Sequence, residues 1–347
     1  MVSTVCYAED DSKRLYDYCP SFAATVLFAI LFGAVTITHI VQAFRYRKPF
    51  TWVLIMAGGW ELGGYIARTL SVMDQLNSGI FTAQFLLILL APLWINAFVY
   101  MVLGRMIHFF LEDDRIFGIR ARRITLMFVL FDIAAFVVQL TGGMMASGDD
   151  YSAQTIQNGL HIYTGGVGLQ LAFIAVFIAL ALRFQRILKR QDQDQASQMV
   201  MEMSRTQYEP TSGNEASTHI SLLNRSYRQA RPLLIIIWVA LGFIVLRNVY
   251  RLIEYGMGGV NGNTITRHEW FQYVFDAVPM LFAIIALNIY HPGKVLQGVK
   301  SDFSEENKAR QAEKKAKKQA KKDSKKEGKL YAKVGNGSGH NSSDELV

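Results

Sequence analysis

Long apolar blocks alternate with short polar stretches along this chain. The blocks run roughly over residues 22–43, 50–72, 81–103, 124–146, 159–182, 232–255 and 270–290. As α-helix, about 20 residues cross the ~30 Å hydrocarbon core of a bilayer. The pattern therefore predicts an all-α polytopic membrane protein, a seven-transmembrane helix bundle. The first block is too long for a cleavable signal peptide, and the segment before it is mixed and acidic rather than basic. The polar stretches divide the rest. Residues 1–20 form a short N-terminal segment, 21–293 the bundle, and 294–347 a lysine-rich tail. Residues 191–226 are rich in Gln, Ser and Thr and lack periodicity, so a disordered loop is expected there.

Composition agrees with membrane residence. The chain is 51% hydrophobic and 12% aromatic over 347 residues, and its mean hydropathy is positive despite the tail. Charge adds orientation. Arg45, Arg47 and Lys48 fall in the first loop, and Arg115, Arg120, Arg122 and Arg123 in the third. Lys189, Arg190, Arg205, Arg225, Arg228 and Arg231 fall in the fifth, whereas the sixth holds only Arg267. Basic loops stay in the cytoplasm. The N-terminus is thus expected outside and the C-terminus inside. The net charge of +8 then reflects topology and tail, not a nucleic-acid surface. The tail, with KKAKKQAKK at its centre, suits anionic inner-leaflet lipid at roughly 1 kcal/mol per charge near the surface. A solvated tail kept for trafficking is the equal alternative. The sequons at Asn336 and Asn341 would lie inside and stay unmodified.

Few familiar chemistries have residues here. Cys6 and Cys19 are the only cysteines; both lie in the external segment, where a disulfide is as open as two free thiols or a palmitoylated Cys19 near the membrane. The seven histidines are scattered, HExxH and GxxxxGK[ST] are absent, and the seventh block has no lysine for a retinal Schiff base. No metal, no cofactor and no enzymatic activity are expected. The intramembrane charges are the exception. Each costs on the order of 3 kcal/mol at the bilayer centre and must face the bundle interior. In GGWELGGYIARTL, Glu61, Tyr65 and Arg68 share one helical face, and Gly59 and Gly63 form a small-xxx-small pair suited to close packing. Arg247, Arg251 and Glu254 share a face of the sixth block, and Asp132 and Gln139 one of the fourth. The seventh holds Glu269, Tyr273, Asp276 and Pro279, the third Gln84 and Pro92, and the fifth His161 and Gln170. On the expected topology Arg68, Gln84, His161, Arg247, Arg251, Glu254, Glu269 and Asp276 fall in the outer half. Glu61, Asp132, Gln139 and Gln170 fall nearer the midplane. Such a set either fixes helix register by ion pairs and hydrogen bonds, or lines a polar cavity for an amphipathic ligand. GGVG at 165–168 sits inside a span and reads as a packing surface.

Several stretches together resemble the fungal RTA-like family of lipid-translocating exporters. They are GGWELGGYIAR (58–68), QFLLILLAPLWINAFVY (84–100), FDIAAFVVQLTGG (131–143), GLQLAF (168–173), LRNVYRLIEYGMGG (246–259), HEWFQYVFDAVPM (268–280) and HPG (291–293). Asn96 departs from the pattern, where a small residue is expected. The resemblance implies a multi-pass plasma-membrane protein that moves amphipathic lipids, such as sphingoid long-chain bases, and protects against membrane-active compounds. The carboxylates Glu61, Asp132, Glu254 and Asp276 outnumber Arg68, Arg247 and Arg251, which suits an amine headgroup or proton exchange. The arginines suit a phosphate equally. A seven-transmembrane receptor or sensor of amphiphiles shares the topology. Against it, LGRMIHFFLEDDR and NIYHP are only loose echoes of receptor motifs.

Overall fold

The structure is a computed structural model. It describes residues 15–16, 18–146, 152–206, 227–256, 265 and 267–297, with 303, 311–312, 315–317 and 319–320 from the tail. The chain divides into two units, Met1–Gln297 and Gly298–Val347. Helical residues described in the second unit are all exposed. Among its described residues the first unit is all-α apart from one small hairpin.

Its helices are α1 (Phe22–Tyr46), α2 (Trp52–Met73), α3 (Ser78–Phe110), α4 (Ala121–Ala146), α5 (Ala153–Thr206) and α6 (Tyr227–Gly256). The last, α7, runs as Glu269–Gln272, a π-helical turn Tyr273–Ala277, and Val278–Ile289. Local chemistry sets the ends. Ser21 and Asn77 cap α1 and α3 by accepting from the backbone N–H of Ala24 and Ile80. Arg47 ends α1 in the left-handed region at φ 50°. Strands β1 (Arg115–Ile116) and β2 (Ile119–Arg120) are joined by Phe117 and Gly118, both at positive φ, the geometry that suits a two-residue hairpin turn. Pro279 lacks an N–H, so the regular helical hydrogen-bond pattern fails just before it. The bond from Val278 N–H reaches back five residues to Tyr273 O.

Six helices, all but α2, are long and apolar enough to cross a membrane. With 22 residues, α2 is long enough at 1.5 Å per residue, but Glu61, Arg68 and four glycines dilute its apolar character. It packs between α1 and α3. The bundle is turned inside out relative to a soluble protein. Leu27, Ile30 and Val41 on α1 and Leu126, Leu130 and Val137 on α4 are exposed, while Glu61, Arg68, Asp132, Arg247, Arg251 and Asp276 are buried. An apolar exterior over a polar interior is stable only against lipid. The protein is a multi-pass membrane protein.

Three expectations change. The stretch from Gln191 to Thr206 is not loop: α5 continues through it to a length of 54 residues. Gln, Met, Ala, Glu and Arg are good helix formers, and neither Gly nor Pro interrupts them, so helix needs no apolar face there. Residues 207–226 lie outside the described residues. Second, Gly59 and Gly63 are not the packing glycines. Gly59 has nothing within 4 Å of where a Cβ would stand. Instead Gly58 meets Thr36 of α1, and at Gly64 a Cβ would lie 2.6 Å from Ile88 Cγ1 of α3. The tightest crossing is α4 on α5, where Gly142 abuts the Tyr163 backbone and Gly166 abuts Gln139. Third, His161 is exposed on the helix exterior, outside the polar zone.

Candidate functional site

Alternate helices run in opposite directions, so one end of the bundle collects the C-terminal ends of α2, α4 and α6 and the N-terminal ends of α3, α5 and α7. Polar groups converge there in two connected clusters. The first centres on Arg68. Its Nη2 donates to the Tyr18 hydroxyl at 2.7 Å and pairs with Glu269 at 3.2 Å. The Tyr273 hydroxyl donates to the same Glu269 oxygen at 2.8 Å. Gln84 donates to Tyr16, and Tyr16 to Ser71, each at 2.9 Å. Burial pushes the Tyr16 phenol up, against the pull of Arg68, so it keeps its proton and its donor role. The Ser21 N–H donates to Glu269 at 2.8 Å. The segment before α1 is thereby tied onto the start of α7.

The second cluster joins α6 and α7. Arg251 spans Asp276, at 2.5 Å from Nη2, and Glu254, at 3.0 Å from Nη1. Arg247 Nε lies 2.6 Å from the other Asp276 oxygen, a charge contact poorly directed for a hydrogen bond. Tyr250 donates to Glu254 at 2.8 Å. The π turn matters here: it places Asp276 toward both arginines of α6 while Tyr273 reaches Arg68, so α7 links the clusters.

Above them is a cavity of about 350 Å³. Of the residues singled out in the sequence, Arg68, Gln84, Arg251 and Glu254 line it. Glu269, Tyr273 and Asp276 stand behind them as their partners, and Arg247 pairs with Asp276. Glu61 and Tyr65 lie deeper on α2, buried to 1% and 0% exposure. Neither the Glu61 Oε2 nor the Tyr65 hydroxyl finds a hydrogen-bond partner. Tyr65 is held instead by ring stacking on Phe28 and Phe32.

Other expected members lie elsewhere. Asp132 accepts from Asn96 Nδ2 at 2.9 Å and from Tyr100 at 3.0 Å, between α3 and α4. That gives Asn96 a partner a small residue would not supply. Gln139 donates to Gln170 at 2.9 Å, joining α4 to α5. None of Asp132, Gln139 and Gln170 lines the cavity. Cys19 is disulfide-bonded; Cys6, the chain's only other cysteine, lies outside the described residues.

Sequence reasoning missed the tyrosines. Tyr16, Tyr18, Tyr163, Tyr250 and Tyr255 line the cavity, with His268 and Gln272 at α7. Tyrosines near span ends ordinarily read as the interfacial aromatic belt, which hides those that turn inward. The signal available was spacing: Tyr250 is four residues before Glu254 and shares its face. Among the described residues, no group of three or more His, Cys, Asp or Glu is arranged to hold a metal ion.

Comparison with known proteins gives a consistent result. The family model described as RTA1 like protein matches residues 54–299. The chain is 39% identical over 290 residues to the probable lipid transporter atnI of Emericella nidulans, covering 84% of this chain and 70% of that protein. It is 29% identical over 315 residues to protoporphyrin uptake protein 1 of Saccharomyces cerevisiae, covering 81% and 92%. It is 25% identical over 308 residues to the sphingoid long-chain base transporter RSB1 of the same species, covering 84% and 77%. No solved structure matches the chain.

Proposed function

The chain belongs to the RTA1-like family, and from that premise we propose that it is a plasma-membrane transporter of amphipathic lipids. In this reading the headgroup of a long-chain-base-like amphiphile sits in the outer cavity among Arg68, Gln84, Arg251 and Glu254. Its tail lies against the apolar helix faces, and export of such compounds confers resistance to membrane-active toxicants. The relatives named for lipid and long-chain-base transport support the class of cargo.

The observation that carries the reading is the cavity itself. Its wall offers two guanidinium groups and a carboxylate, each already held by a partner, within a ring of tyrosines. Groups held in place lose little entropy when a headgroup arrives. Carboxylate and tyrosine faces suit an ammonium, and a headgroup hydroxyl can replace water at Gln84. The lining carboxylate and the unpaired Glu61 favour a cationic over an anionic headgroup.

The decisive test is movement of a headgroup-labelled long-chain base across vesicles that contain only this protein. Transport at a rate several-fold above protein-free vesicles is expected, with loss on Gln84→Leu at unchanged protein incorporation. Saturable binding with no movement would instead make the protein a sensor.

A further inference from the structure

Glu61 is a buried carboxyl group with no counter-charge of its own. Its residue is 1% exposed, its Oε2 has no hydrogen-bond partner, and among the described residues no cation lies within ion-pair distance of it. The groups that face it come from every neighbouring element. On either side of it along α2, Gly58 meets Thr36 of α1 and Gly64 meets Ile88 of α3, neither of them charged. On α2 itself Arg68 lies seven residues on, about 10 Å at helical rise, and is engaged by Glu269. The charged groups near enough to act on it are Arg247 and Arg251 of α6 and Asp276 of α7. Asp276 takes both Arg247 and Arg251, and Glu254 shares Arg251. Three arginines are thus matched by Glu254, Glu269 and Asp276, and Glu61 is the fourth carboxyl. Among the described residues, the set with all four ionised would hold one more carboxylate than guanidinium in a low-dielectric interior, an arrangement that is strongly disfavoured.

We propose that Glu61 holds a proton until a cation enters the cavity above it, and that it gives up that proton to water as the cation arrives. The inference rests on the transport reading given above and adds its coupling: one proton leaves the O–H of Glu61 as one positive charge enters, so the buried set stays neutral. Arg251 connects the two places, since it lines the cavity and pairs with Asp276 beside Glu61. A cationic amphiphile competing for Glu254 would release Nη1 of Arg251, whose Nε and Nη2 stay on Asp276, to serve an ionised Glu61. Loading is then an exchange of proton for cation, and a proton gradient across the membrane would drive net export. Asp132 also lacks a cation, but it is bound by Asn96 and Tyr100 and lies away from the cavity. It serves as the control.

The test uses the full-length protein in nanodiscs of neutral phospholipid, weakly buffered near neutral pH with an indicator dye. The probes are hexadecyltrimethylammonium, whose charge is permanent, and hexadecanol, with empty nanodiscs as blank. Release of about one proton per bound cation is expected from the native protein and from Asp132→Asn. Glu61→Gln should bind the cation without release, and hexadecanol should release nothing. Binding of the cation without proton release by the native protein overturns the inference and leaves the transport reading standing. So does equal release by Glu61→Gln. Absence of saturable cation binding by the native protein removes the cationic-cargo reading and this inference with it. If Glu61→Gln does not fold, the infrared band of a protonated carboxyl group is followed in Asp132→Asn. Its loss on adding the cation is the expected result, and its persistence overturns the proposal.

Discussion

Asp276 is the residue on which most of the buried charge depends. It is 1% exposed and contacts two arginines on α6. Asp276→Asn would leave Arg247 and Arg251 with only Glu254 between them. Breaking a buried pair from one side costs roughly 3–5 kcal/mol. A large fall in melting temperature of the detergent-solubilised protein is the expected result, with reduced surface abundance. Asn96→Ala should do less. It leaves Asp132 Oδ2 with the Tyr100 hydroxyl as its one donor among the described residues, a loss of about 0.5–1.5 kcal/mol for one hydrogen bond. Thermal unfolding of the two variants side by side checks the order. At this scale the sequence showed which side chains share a face of one helix, because 3.6 residues per turn fixes that. It did not show that Asp276 would take two arginines and Glu61 none, since pairing across helices depends on how α2, α6 and α7 are rotated against one another.

Among elements, the α4–α5 crossing is where backbones approach most closely at a glycine, and α2 also packs tightly through Gly58 and Gly64. A methyl group at position 142 would overlap the backbone of Tyr163, and backbone cannot be displaced as a flexible side chain can. Gly142→Ala is therefore expected to destabilise by about 1–3 kcal/mol. Gly59→Ala, with open space around it, should fall within about 0.5 kcal/mol or stabilise slightly through helix propensity. Melting temperatures and surface abundance of the pair distinguish a packing glycine from a passive one. The GGWELGG stretch marked α2 as closely packed, but which of its glycines point at neighbours followed from helix rotation. The continuation of α5 was hidden for a different reason. From Lys189 to Gln198 nearly every side chain is exposed, so the segment shows no apolar face, and helix there rests on propensity alone.

For the whole molecule, the bias of basic residues toward the first, third and fifth loops sets the expected orientation. A single cysteine placed at Ser78 or Ser152, with Cys6 and Cys19 replaced, should react with an impermeant thiol reagent on intact cells. One at Ser197 should not. Labelling at Ser197 alone would mean that the protein is inverted, and the cavity would then open inward. The tail is separable on the same grounds. Deleting residues 308–347 removes part of the unit that follows Gln297, so melting temperature and surface level should be unchanged. Lower activity at equal abundance would show that the lysines contribute directly, through anionic lipid.

Bilayer thickness and the cost of burying charge act on each segment separately. For that reason the six long apolar helices, the all-α character and the inward direction of Glu61, Arg68, Arg251 and Asp276 were determined by the sequence by itself. The cavity was not. It exists because Arg68, Gln84, Arg251, Glu254 and five tyrosines meet from the N-terminal segment and from α2, α3, α5 and α6, and because a π turn before Pro279 turns Asp276 toward α6. Such meetings depend on helix rotation and crossing, which sum many small packing terms over pairs of residues far apart in the chain. Only the tertiary structure decided them, and with them that Glu61 has no cation within ion-pair distance among the described residues.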